Sequence, residues 1–198
     1  MTTTTTMTYV LSDDNFLSSG LSSLLRREQR TVVVLPCILS ESARILSELK
    51  PHDVLVIAVS CARLLKSVIK IIRMKRTGLC LIIDNKKYNI SGGRSVGILS
   101  STSPLESIID DIDYVIRHNK LRRTLNDLSL TEVNVLRLLS AGCHANFIAR
   151  LLNIKTDTVL NLKRTAKLKI GMEKVNNRFL LLFRDIEELR IPPVNICR

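Results

Sequence analysis

The chain of 198 residues has no tryptophan, and its aromatics amount to only 4%. That argues against a protein that holds single-stranded nucleic acid or sugar by stacking on rings. Its five cysteines (Cys37, Cys61, Cys80, Cys143, Cys197) are odd in number and scattered, with no C-x-x-C pair. Neither a disulfide framework nor a zinc site is therefore expected, and the usage fits a reducing cytoplasm. Apolar runs are broken by Lys or Arg well short of the ~18 residues a spanning helix needs, so no membrane insertion is expected. The threonine run from Met1 to Met7 has neither the basic nor the apolar region of a secretion leader. There is no G-x-S-x-G, H-E-x-x-H or Walker sequence, and His52, His118 and His144 stand at no motif spacing from a carboxylate or serine. The expectation is a non-enzyme without cofactor or metal. Acids are few, 18 against 30 Lys and Arg, and the net charge of +12 points to a polyanionic partner.

The length suits one large domain or two of roughly 100 residues, and the charge favours two. Residues 117–198 hold 16 of the cations and 7 of the acids, a net +9, whereas the first 116 carry only +3. A charge excess by itself also fits lysines that merely solvate helices, so the pattern must decide.

In the first half, apolar runs of strand length occur at Thr8–Leu11, Val32–Leu35, Val54–Val59, Leu79–Ile83 and Val96–Leu99. Such continuous Val, Ile and Leu runs suit strands buried on both faces of a parallel sheet. Helical patterns separate them at Phe16–Arg26, Ser42–Leu49, Ala62–Met74 and Pro104–His118, the last opened by a Ser103–Glu106 capping box. The alternation predicts an α/β domain over 7–118 with a doubly wound five-stranded parallel sheet. Ser91-Gly92-Gly93 reads as a turn rather than a phosphate cradle, because no P-loop surrounds it.

Residues 128–190 are nearly all helical by pattern. Ser129-Leu130-Thr131-Glu132 is a capping box, with Leu128 and Val133 placed as a hydrophobic staple and Gly142 as the stop. A short helix over Ala145–Leu152, the turn Asn153-Ile154-Lys155 and a longer helix capped by Thr156 and reaching Ile170 follow the helix-turn-helix plan. On the longer helix Val159, Ala166 and Ile170 share a core face, while Leu160, Asn161, Arg164 and Lys167, flanked by Lys163, lie opposite. Arg can fork onto guanine, Asn onto adenine, and an aliphatic side chain can touch a thymine methyl. Lys155, Thr156, Thr158, Lys163, Lys167, Lys169, Lys174 and Arg178 are then candidates for the DNA backbone. A fourth helix over Asn177–Arg190 carries Phe179, Leu182, Phe183 and Ile186 at helical spacing, more apolar surface than its own domain needs. Residues 119–127, with Lys120, Arg122 and Arg123, read as a linker.

Two resemblances sharpen this reading. Ser12-Asp13-Asp14-Asn15-Phe16-Leu17 and Lys50-Pro51-His52-Asp53-Val54-Leu55-Val56-Ile57 resemble parts of a response-regulator receiver domain. In that family an acidic pair helps hold Mg²⁺, which here implies Asp13 and Asp14, and the phosphate-accepting aspartate would fall at Ala58. Asp84 and Ser101 stand where the family has a hydroxyl residue and a lysine. A methyl group accepts no phosphoryl group, so the domain is a pseudo-receiver. Asp13 and Asp14 are then either a vestigial cation site or a solvated loop kept for the fold.

The run Leu128-Ser129, Glu132, Val135-Leu136-Arg137-Leu138-Leu139, Ala141-Gly142, Ile148-Ala149, Leu151, Ile154, Thr158-Val159 and Lys169-Ile170-Gly171 resembles the LuxR/FixJ-type helix-turn-helix domain, an all-α four-helix unit. Base reading in that family falls at positions equivalent to Leu160, Asn161 and Arg164, and its fourth helix pairs two subunits, which implies a dimer helix at Phe179, Leu182, Phe183 and Ile186. Leu162 departs from the histidine common there, and Asp157 brings a negative charge to the DNA side. The layout is similar to auxiliary enterobacterial regulators of capsule and fimbriae. That implies a transcription regulator of fimbrial or other surface-structure genes, cytoplasmic and nucleoid-associated. Its partners would be double-stranded DNA and itself or another LuxR-type response regulator. The alternative is an adaptor that modulates a partner regulator without touching DNA. With Ala58 at the acceptor position, acetyl phosphate is expected to leave no label on the first domain, as intact-protein mass spectrometry would show.

Overall fold

The computed structural model describes residues 6–73, 75, 77–83, 97–101, 104–118, 125–170, 172, 177 and 179–190. The Ser103 cap, Asp84, Ser91-Gly92-Gly93, Lys174, Arg178 and most of the expected linker lie outside the described residues.

The Val-, Ile- and Leu-rich runs form strands β1 (Met7–Ser12), β2 (Thr31–Leu35), β3 (Val54–Ala58), β4 (Gly78–Ile83) and β5 (Ile98–Ser100). All pair in parallel, in the order β2-β1-β3-β4-β5. Parallel neighbours require crossovers, supplied here by helices α1 (Asn15–Arg27), α2 (Leu39–Glu48), α3 (Ala62–Ile72) and α4 (Leu105–His118). Alternate strand residues go to opposite layers. Val10, Val54, Val56, Cys80 and Ile82 pack with Leu21 and Leu25 of α1 and with Ile108 and Ile112 of α4. Leu11, Leu55, Ile57, Leu79 and Leu81 pack with Leu46 of α2 and with Leu65, Val68, Ile69 and Ile72 of α3. Both faces being covered explains why the strands read as unbroken apolar runs. The doubly wound five-stranded sheet is as expected from the sequence.

The second part is helical: α5 (Leu130–Ser140), α6 (Ala145–Leu152), α7 (Thr156–Lys169) and α8 (Phe179–Ile186), ending in a 3-10 turn over Glu187–Leu189. The capping box of α5 forms as read: Glu132 N donates to Ser129 Oγ at 3.1 Å, and Ser129 N donates to Glu132 Oε2 at 2.7 Å. Helix α6 stops at Asn153, whose φ of +51° places it in the left-handed region that asparagine tolerates. Two expectations need correction. Lys155, not Thr156, occupies the N-cap position of α7, and the Thr156 hydroxyl donates to Asn146 Oδ1 at 3.1 Å, tying α7 to α6. The fourth helix spans eight residues rather than fourteen, because the chain tightens into the 3-10 turn after Ile186.

The two parts share a core. Helix α8 lies between α5 and α3, and the 3-10 turn also rests on α3. Leu65, Ile69 and Ile72 belong to the same buried cluster as Leu136, Phe179, Phe183 and Ile186. Leu125, expected in the linker, is fully buried in that cluster as well.

At the C-terminal end of α7, Lys169 Nζ donates to Glu132 Oε2 at 2.9 Å and to Asp127 O at 3.3 Å. Burial raises the Glu132 pKa, but the bonds from Lys169 and Ser129 outweigh it and hold the carboxyl below its ordinary 4.5. A carboxylate depressed in this way lends its full stabilisation above pH 4.5 and loses it as pH falls through the lower folded value. Thermal melts should therefore show an acid-side fall in Tm that Glu132→Gln reduces. Lys169→Met should cost about 1–3 kcal/mol at neutral pH by leaving the buried carboxylate short of its charged donor.

Candidate nucleic-acid interface

Helix α7 is two-faced because its apolar residues recur at helical spacing. Val159 and Ala166 are 0% exposed and Ile170 is 1% exposed, which anchors one side against α5 and α6. The other side carries Leu160, Asn161, Arg164 and Leu168, all exposed, with Lys163 and Lys167 half-buried at its margin. Leu160, Lys163, Arg164, Lys167 and Leu168, joined by Asn177, line a cleft of about 450 Å³, with no acid in its lining among the described residues. Three cations around aliphatic side chains and an open floor form a surface suited to a polyanion.

Two of these cations are held in place. Lys163 Nζ donates to Asn177 Oδ1 at 2.7 Å. Burial, and then the positive charge of Lys167, bring the Lys163 pKa below its ordinary value. Lys167 Nζ lies 5.7 Å from the centroid of the Phe179 ring, within cation–π range. Arg164 is exposed in the cleft lining, and Asn161 lies on the same exposed side just beyond it.

The remaining backbone candidates divide. Lys155 and Thr158 are exposed at the start of α7, on either side of half-buried Thr156, whose hydroxyl is engaged with Asn146. Asp157 is exposed between them, at the positive end of the helix dipole. Lys169 is exposed, donates to Glu132 and to the Asp127 carbonyl, and lies outside the cleft lining. Lys174 and Arg178 lie outside the described residues.

The four side chains expected at a subunit seam are internal instead. Phe179, Leu182 and Ile186 are 0% exposed and Phe183 is 2% exposed, covered by α5 and α3 of the same chain. In this arrangement they offer no apolar face to a second copy. The cause is that α8 is apolar nearly all round and finds its second cover within the chain.

At the carboxyl end of the sheet, Ala58 is buried at the end of β3 with a register partner in Ser12. Both neighbouring aspartates accept hydrogen bonds from the backbone. Asp14 caps α1, its Oδ1 accepting from Phe16 N at 2.8 Å and Leu17 N at 3.1 Å. Asp13 reaches across to the β3–α3 loop, where Ser60 N donates to its Oδ2 at 2.7 Å. Among the described residues no group of three or more His, Cys, Asp or Glu is placed to hold a metal ion. Ser101 is exposed just past β5. Cys61, at the start of α3, has its thiol pKa lowered by the amides of Leu64 and Arg63.

Sequence reasoning missed Asn177 and Leu168 as parts of the cleft, and Phe179 as the ring beside Lys167. The spacing of Lys163 and Lys167, one turn apart, was visible; that Asn177 and Phe179 meet them was not, because it depends on the docking of α8.

No family model and no curated protein matches the chain. Among solved structures it is similar to the response regulator StyR, at 17% identity over 93% of this chain and 98% of that one, with a TM-score of 0.40. It is similar also to full-length FixJ from B. japonicum, at 17% identity over 93% and 98%, with a TM-score of 0.39. A complex of the two-component response regulator RcsB with DNA shows 19% identity over 91% and 98%, with a TM-score of 0.49. Likeness this loose says nothing of function, and the fold stands on the sheet and helices described above. No described helix is long and apolar enough to cross a membrane.

Proposed function

We propose that the chain is a bacterial DNA-binding transcriptional regulator that lays α7 into the major groove of double-stranded DNA. The observation that carries this reading is the cationic cleft on the outer side of α7, where Lys163, Arg164 and Lys167 line it together with Leu160. Arg164, Asn161 and Leu160 supply the guanine fork, the adenine amide and the thymine-methyl contact of direct readout. Lys155, Thr156, Thr158, Lys163 and Lys167 supply the sequence-independent backbone contacts. The first domain works without phosphorylation, a reading supported by Ala58 at the acceptor position and by the structural duties of Asp13 and Asp14. Control of fimbrial or other surface-structure genes and work as a dimer or with another LuxR-type response regulator rest on the sequence resemblance alone. So do the cytoplasmic, nucleoid-associated location and the absence of enzyme activity.

A salt titration of the full chain on promoter-length DNA and on random DNA tests the reading. The log-log slope should be near −0.9 for each phosphate neutralised. The specific site should be favoured by ~10³ or more. Joint substitution Lys163→Ala, Arg164→Ala and Lys167→Ala should flatten the slope by roughly 2–3 and abolish specificity with the fold retained by circular dichroism. If binding to every DNA is absent, alone and with a partner regulator, the adaptor reading replaces this one.

A further inference from the structure

Helix α3 belongs to the receiver-like part and stands outside the DNA cleft, yet an unbroken series of contacts joins the two. Leu65, Val68, Ile69 and Ile72 of α3 share a buried cluster with Phe179, Leu182, Phe183 and Ile186. Lys66 of α3 lies 3.5 Å from Asp185 Oδ1, a carboxylate whose side chain is only 1% exposed. Arg184 approaches the same oxygen at 3.6 Å. Helix α8 is thus held on α3 by apolar burial and by a charge pair near its C-terminal end. At the other end of α8, Phe179 lies under the Lys167 ammonium, and Asn177, just before the helix, accepts from Lys163. Lys163 and Lys167 sit one turn apart on α7, so both cleft lysines are placed by the segment that α3 anchors.

We infer that the α3–α8 seam positions Lys163 and Lys167 in the cleft, with Lys66, Asn177 and Phe179 as positioning residues, so that the receiver-like part is a structural component of the DNA-binding surface. The inference deepens the proposed function and rests on it for the role of the cleft, though not for the placement of the lysines. Energetic coupling of this kind travels through packed side chains and ion pairs, and a single break in the series should be felt at its far end. Asp185 makes the seam sensitive to charge, since a buried carboxylate that faces an anion instead of a cation is strongly disfavoured.

The test is a charge reversal distant from the cleft, Lys66→Glu, in the full-length protein. By NMR with isotopically labelled lysine, the wild type should show Lys167 ε-methylene protons shifted upfield by the Phe179 ring, assigned with Lys167→Arg. The shift should persist in Lys66→Arg and collapse in Lys66→Glu; should the reversal prevent folding, Lys66→Met is read in the same way. An unchanged shift in the folded variant, or no upfield shift in the wild type, overturns the inference. On DNA at fixed salt, Lys66→Glu should bind several-fold more weakly than Lys66→Arg, and equal affinity also overturns it. If the wild type binds no DNA while the ring-current result holds, the proposed function fails and the positioning of the lysines stands.

Discussion

Helix α8 is the element on which the arrangement of the chain depends. Its eight residues, Phe179–Ile186, include Phe, Leu and Ile on several sides, and a helix of that composition must be covered on more than one flank. Helix α5 covers one flank and α3 covers another. Each large side chain removed from water contributes about 1.5–3 kcal/mol, so the burial of Phe179, Leu182, Phe183 and Ile186 outweighs many surface ion pairs. Asp185 enters the same seam as an expensive group, and Lys66 and Arg184 make its burial tolerable. A seam that combines apolar area with one compensated charge admits few alternative packings, and it joins two parts that composition alone would separate.

From this constraint the character of the cleft follows. Asn177 and Phe179 are held where α8 begins, and there they meet the margin of α7, which holds two lysines in place. Arg164 and Asn161 remain exposed on the same side of the helix. On the proposed DNA-binding reading, the held cations at the edge set position and the exposed Arg164 and Asn161 set sequence. At the far end of the molecule the carboxyl edge of the sheet has a different economy. Asp13 bridges to Ser60 and Asp14 caps α1, so the acids that a receiver would give to a cation stabilise loops.

Most of the fold was legible in the residues. Val54–Val59 and Leu79–Ile83 read as strands because a parallel sheet buried on both faces needs unbroken apolar runs, and the strands form at Val54–Ala58 and Gly78–Ile83. The capping box at Ser129 and Glu132 and the stop at Asn153 are local chemistry, fixed by neighbours in sequence, and they appeared where expected. Thr156 misled because a hydroxyl at a helix start ordinarily caps it, whereas here Asn146, ten residues earlier, takes the hydrogen bond. The ion pair of Lys169 was hidden for a related reason: its partner Glu132 lies on another helix.

The sequence by itself determined the elements, their order and the two faces of α7, because periodicity, caps and turn residues act over a few residues. It also determined that Ala58 has no phosphate-accepting group, since side-chain identity needs no geometry. Only the tertiary structure decided where α8 places its apolar surface, which cations of α7 are held and by what, and that α3 takes part in their placement. Those outcomes depend on pairs such as Lys66 with Asp185 and Lys167 with Phe179. Apolar burial has no direction of its own, so an all-round apolar helix announces that it will be covered but not by which surface.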